Sequence, residues 1–218
     1  MEKIVLDFEK GAWKALAKVF PAARLQGCAF HFSQALIRRI GHEGLSRAYM
    51  TDPGTRSILK RILALCYIPA TWIPSMFKQL ETKCTTPNLI AFAVYVRSTW
   101  IDNEKYWPPA AWSVFHMSTR TNNDLEGWHR QFNGIAKRNM PFYLLIEKMF
   151  DVSNFVEIQI NLIREDKLTR RQTTKYAGIN KQLCQYWEEY DAGTLAVTEL
   201  LKKCAALYTP VIPQVTDA

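Results

Sequence analysis

Between Arg120 and Asn139 the chain reads RTNNDLEGWHRQFNGIAKRN. With a helical advance of about 100° per residue, His129, Arg130, Asn133 and Lys137 all fall within roughly 60° of Glu126. Leu125, Trp128, Phe132 and Ile135 fall on the far side. A polar face needs only generic charges for solubility, yet this one combines a carboxylate, an imidazole, a guanidinium and an amide. Such a set can hold a metal, move a proton or grip a phosphate. It can equally be a solvated face laced with i,i+4 ion pairs. Thr121, Asn122 and Asn123 are N-cap types, and Asp124 puts a carboxylate in the first turn, where the helix dipole favours it. A capped helix therefore starts here.

Other reactive groups lie near the start. Asp7 closes the β-branched run EKIVLD. The carboxyl ends of parallel strands are where α/β folds place their chemistry. Asp7 could instead cap the helix that follows. Glu9 reads as a first-turn carboxylate. Cys28 and His31, in GCAFH, form a C-x-x-H pair after a second strand-like stretch. Structural zinc takes four ligands and usually two such pairs. The sequence holds no second pair, so zinc is not expected, and a buried Cys with a hydrogen-bonded His is the plain alternative. Glu126 and His129 form an E-x-x-H pair, but di-iron bundles need that motif on two helices and it occurs once. Cys66, Cys84, Cys184 and Cys204 read as core positions on helices.

These groups need elements to hold them. EKIVLD, then FEKGAWKALAKVF closed by Pro21, then ARLQGCAF, then HFSQALIRRI reads as strand, helix, strand, helix. That is a βαβ unit with a parallel strand pair. In its first helix Phe8, Trp13, Leu16, Val19 and Phe20 form an apolar stripe. From Gly41 to His116 the periodicity is helical, punctuated by Pro69 and Pro74. After Pro141, Leu145, Met149, Val152, Val156, Ile160 and Ile163 recur every three or four residues, predicting one long helix toward Arg170 and Arg171. Two shorter helices follow, near Gln182–Tyr190 and Leu195–Tyr208, before a loose tail.

Composition bounds the partners. The chain has 218 residues, is 48% hydrophobic and carries a net charge of +8. That allows a sizeable core and favours a polyanionic partner. Five cysteines without a C-x-x-C pair, and no secretory signal, point to a reducing compartment. The longest uncharged run, Ile62 to Phe77, contains two prolines and is shorter than the ~20 residues of a membrane span. The expected location is the nucleus or cytoplasm, with no secretion and no membrane.

Three fragments, IVLDFEKGAWKALAKVFP, LQGCAFHFSQALIRRI and TNNDLEGWHRQFN, occur in that order. Together they resemble the transposase domain of Mutator-like elements, the MULE family, over roughly Ile4 to Met140. The family pattern is an Asp after a strand, a C-x-x-H after the next, a helical insertion, and a helix with an Asn-rich start and a Glu. The resemblance implies an RNase-H-like core that holds two Mg²⁺ with two Asp and one Glu and performs in-line phosphoryl transfer on DNA. Asp7 matches the second Asp and Glu126 the Glu, as catalytic and metal-binding residues. Cys28 and His31 match the C-x-x-H near the site. His129 and Asn133 would face the site, and Arg130, Lys137, Arg138, Arg170 and Arg171 would face DNA.

The family's first catalytic Asp lies on a strand well upstream of the Asp7 strand, whereas only six residues precede Asp7 here. The expected fold is thus an α/β remnant of an RNase-H-like core: βαβα over 1–41, a helical insertion over 42–116, the Glu126 helix over 117–140 and a helical region over 141–218. The expected function is that of a truncated transposase-derived protein that binds DNA and has lost strand cleavage alone. Mg²⁺ would bind only if the site were completed. The partners would be DNA and a second copy or another chain supplying the missing strands. A non-catalytic helical interaction module is the alternative.

Overall fold

The computed structural model of the chain describes residues 3–136, 139–164 and 174–207; within these, the side chains of 123–126, 159, 163 and 174–176 are left aside. Two strands, β1 (Lys3–Leu6) and β2 (Arg24–Gly27), pair in parallel with Lys3 opposite Arg24 and Leu6 opposite Gly27. Helix α1 (Lys10–Val19) crosses between them and α2 (Ala29–His42) follows β2. This is the βαβα order that the alternation of two short strand-like stretches with 3.6-residue periodicity predicts.

The rest of the described chain is helical. After α2 come α3 (Ser46–Thr51), α4 (Pro53–Leu63), two 3₁₀ turns (Leu65–Tyr67 and Ala70–Trp72), α5 (Ile73–Glu81) and α6 (Pro87–Val96). A π-helical segment (Arg97–Ile101) continues α6, and α7 (Pro109–Trp112) is short. Then come α8 (Asn123–Ile135), α9 (Phe142–Arg164), α10 (Thr174–Asp191) and α11 (Val197–Leu207). Proline stands at the first or second position of α4, α5, α6 and α7, where its missing N–H costs nothing. Asp52 and Thr86 cap α4 and α6 through their side chains.

The chain divides into two compact units, Met1–Thr121 with Ile179–Ala218, and Asn122–Gly178. In the first, Phe32, Leu36 and Ile40 of α2 are fully buried with Leu59, Ile62, Phe77, Phe92 and Trp112. Each such side chain contributes roughly 1.5–3 kcal/mol by leaving water. Leu183 and Trp187 of α10 and Leu200, Leu201 and Cys204 of α11 belong to this same core, although they lie in the 141–218 segment of the sequence. Two buried polar side chains tie distant segments together across it. Trp187 Nε1–H donates to the Tyr67 carbonyl at 2.8 Å. Gln26 Nε2 donates to the Ala111 and Ser113 carbonyls, both at 3.0 Å, which ties β2 to the end of α7.

Of the apolar stripe expected on α1, Phe8 and Trp13 pack partly buried against the core, whereas Val19 and Phe20 are exposed and no residue of α1 itself is fully buried. A two-stranded sheet is too narrow to cover a helix across its full width. In the second unit α8 and α9 pack through Trp128, Phe132 and Ile135 on one side and Val152, Phe155 and Val156 on the other, around a cavity of about 320 Å³. Trp128 and Phe132 stack at 5.3 Å.

Candidate functional site

Asp7 directly follows β1, and Cys28 directly follows β2. The Cys28 N–H donates to the Leu6 carbonyl at 2.8 Å, so the carboxyl ends of the two strands lie side by side. Helix α2 starts at once, with Cys28 as its N-cap and the Ala29 N–H bonded to the Arg120 carbonyl at 2.9 Å. Its buried stripe, Ala29, Phe32, Leu36 and Ile40, faces the core. The adjacent stripe, His31, Gln34, Ala35 and Arg38, lines a cleft of about 580 Å³. Asp7, Phe8 and Glu9 form the strand-end wall of this cleft, and Tyr95, Thr99, Trp100 and Trp107 complete it. The volume is that of a typical ligand pocket.

The cap reading of Asp7 is corrected by this geometry. Helix α1 begins at Lys10 with Glu9 at the N-cap, and no side chain caps it. Asp7 instead accepts the Trp13 indole N–H on its main-chain carbonyl at 2.6 Å, and its side chain lines the cleft. Glu9 is correspondingly not in the first turn; it sits one position earlier.

The aromatic wall depends on two local features. The π-helical turn shifts the register after Val96, and Thr99 and Trp100 reach the cleft from it; such insertions recur at functional sites. Phe8 packs edge-on against Trp100 at 4.6 Å and Trp107 at 5.7 Å. That approach needs Gly27: a Cβ there would stand 2.5 Å from the Phe8 ring. Lys10 Nζ lies 4.5 Å from the Tyr106 ring centre and 5.7 Å from that of Trp107, a cation–π geometry.

The C-x-x-H pair divides between core and cleft. Cys28 is fully buried, while His31 is partly exposed and lines the cleft. Helix geometry explains this. Cys28 ends the strand facing inward, and three residues later His31 lies on the α2 stripe next to the buried one. Cys184, expected in the core, is exposed on α10; Cys66, Cys84 and Cys204 are buried.

On α8, His129, Arg130 and Asn133 are exposed and Trp128 and Phe132 are partly buried, as the opposed faces predict. The expected capping is absent: Asn122 stands at the N-cap with no side-chain cap hydrogen bond. The Glu126 side chain lies outside the described set, and Lys137, Arg138, Arg170 and Arg171 lie outside the described residues. Arg120 is held in place, with Nη1 on the Met117 carbonyl at 2.8 Å, Nη2 on the Asn180 side chain, and its guanidinium over Trp187.

Chemically, the cleft lining gathers two carboxylates, Asp7 and Glu9, an imidazole, His31, and a guanidinium, Arg38, beside Trp100 and Trp107. Magnesium asks for near-octahedral oxygen ligation. Among the described residues no three His, Cys, Asp or Glu side chains gather into a metal-binding group. Asp7 and Glu9 are the carboxylates of the cleft lining. Among the described residues, no helix is long and apolar enough to cross a membrane.

The chain matched no family model, no curated protein and no solved structure.

Proposed function

We propose that this chain derives from the catalytic core of a Mutator-like transposase, acts in the nucleus and binds DNA through a basic surface and the Asp7 cleft. One observation carries the reading. Asp7 ends a parallel strand and lines one cleft with His31 and Arg38 of the next helix, the position where α/β folds keep reactive carboxylates. The order of the three sequence fragments and the net charge of +8 support it independently. On this reading Arg38 and Arg130 contact phosphates, together with Lys137, Arg138, Arg170 and Arg171. By the resemblance, Glu126 corresponds to the family's catalytic Glu.

The test is binding of a labelled duplex by the 218-residue chain across a salt series. Affinity should fall linearly on a log–log plot, because bound phosphates release counterions. Joint neutralisation of Arg130 and Lys137 should flatten that slope by about 1–2 units. Asp7→Asn should tighten metal-free binding, since it removes a carboxylate that repels phosphate. Absence of binding at low salt, or a slope unchanged by the paired substitution, rejects the reading.

A second reading, a helical protein-interaction module or a subunit completed by another chain, is favoured by exposed apolar side chains along α9. Phe142, Tyr143 and Phe150 are more than half exposed.

A further inference from the structure

Among the exposed apolar side chains of α9, one set follows a heptad spacing. Phe142, Ile146, Met149, Ser153, Val156 and Ile160 are separated by steps of four, three, four, three and four. That is an unbroken heptad seam with one polar position, and Ile163 continues it in sequence. The heptad repeat of 3.5 residues is the signature of a helix that winds around another helix rather than lying on a globular core. Every described member of the seam is exposed, and the five apolar ones are not those that hold α9 to α8, apart from Val156 at the edge of the α8–α9 cavity. Tyr143 and Phe150 flank the seam on one side.

We infer that α9 is a self-association helix, and that its seam pairs with the same seam of a second copy of this chain. Three observations select that occupant. The first is size. Exposed fractions along the seam and its two flanking aromatics run from 37% at Val156 to 86% at Tyr143. At roughly 200 Å² per free side chain, the stripe offers on the order of 800 Å², which is what each partner contributes to a standard stable interface.

The second is the choice of residues. Positions that face the partner in the a register are Ile146, Ser153 and Ile160, and those in the d register are Phe142, Met149 and Val156. The polar Ser153 at the central a position marks the register of the seam at a cost in stability.

The third is charge. The chain as a whole carries +8, which opposes the approach of two copies. Helix α9 does not share that excess: Lys148 and Arg164 are outnumbered by Glu147, Asp151 and Glu157. Lys148 is moreover bound to Asp151 at 3.0 Å. The one long helix able to present a heptad seam is also the one whose charge permits self-contact. This inference does not rest on the DNA-binding reading.

The experiment is analytical ultracentrifugation of the full chain from about 1 to 100 μM, with light scattering as a second mass measurement. The expected species is a dimer that dissociates on dilution. The double variant Ile146→Glu/Ile160→Glu introduces charges at exposed seam positions that do not line the α8–α9 cavity. It should sediment as a monomer with an unchanged circular dichroism spectrum. Ile158→Glu, exposed but off the seam, should remain dimeric and controls for the effect of added charge. Ser153→Ile should tighten the dimer at least tenfold. A monomeric wild-type chain at 100 μM would overturn the inference, because the stripe would then be covered by the chain's own residues or by another protein. A dimer that persists in the seam double variant would overturn it too, by placing self-association on another surface such as a sheet edge.

Discussion

The indole Nε1–H of Trp13 donates to the main-chain carbonyl of Asp7 at 2.6 Å. The bond spans the link from β1 to α1 and closes it into a fixed corner. Because the carbonyl rather than the carboxylate is engaged, the Asp7 side chain is left to the cleft. Trp13→Phe keeps the ring and removes the donor. It should lower stability by about 1 kcal/mol in urea titration. It should also weaken the effect of Asp7→Asn on DNA affinity, since the carboxylate is then less well aimed.

Gly27 and Phe8 form a second constrained pair. A methyl group at Gly27 would sit 2.5 Å from the Phe8 ring, and that ring is already held between Trp100 and Trp107. Gly27→Ala should cost roughly 1–3 kcal/mol, the usual range for overpacking. In the Phe8→Ala background the same substitution should cost much less. A double-mutant cycle read by chemical denaturation measures that coupling; a cost independent of Phe8 would place the strain elsewhere.

Gln26 is fully buried and donates to two carbonyls at the end of α7. Gln26→Leu fills the space but leaves both acceptors without that donor. The expected loss is roughly 2–4 kcal/mol, from a penalty of about 1–3 kcal/mol for each stranded group. The denaturation midpoint should fall without a change in slope.

Acid stability should report the Glu81–Arg97 pair. A hydrogen bond from the Arg97 guanidinium holds the Glu81 carboxyl below its ordinary value of 4.5, against a smaller opposing effect of burial. A depressed folded-state value means that the unfolded chain takes up the proton first. The contribution is therefore present above pH 4.5 and is lost as pH falls below it. Urea midpoints between pH 6 and pH 3 should fall less steeply in Arg97→Gln than in the wild type. Parallel curves would show that the pair adds nothing.

Thiol reactivity should separate the five cysteines. Burial pushes the Cys204 thiol up to about 12 and the Cys84 thiol up to about 11. Burial also raises the Cys66 thiol, with the neighbouring Cys204 and Cys28 adding to the effect. Cys184 alone is exposed. At pH 8 one thiol per chain should react rapidly with a disulfide reagent, and all five in denaturant. Cys184→Ser should remove the rapid phase.

Much of this protein is written locally. The β-branched run ending at Leu6, the short strand-like stretch ending at Gly27, the 3.6-residue periodicity between them and the prolines that open α4 to α7 state the order of elements. They do so because strand and helix preferences depend on near neighbours in the chain. The opposed faces of α8 are legible for the same reason.

Burial is not local, and there the tertiary structure decides. The stripe on α1 reads like that of α2, yet only its Phe8 and Trp13 end packs on the core while Val19 and Phe20 stay exposed, because only two strands lie beneath it. Cys28 and His31 look like one motif, but strand geometry sends the first inward and helix rotation turns the second to the cleft. Asp7 satisfies the rules for a helix cap, and Trp13 takes its carbonyl instead. Trp100 and Trp107 enter the cleft through a π-helical turn and the loop after it, and no periodicity announces either. Which apolar residues become core, and which polar ones share a cleft, is set by the surfaces that distant segments bring to them.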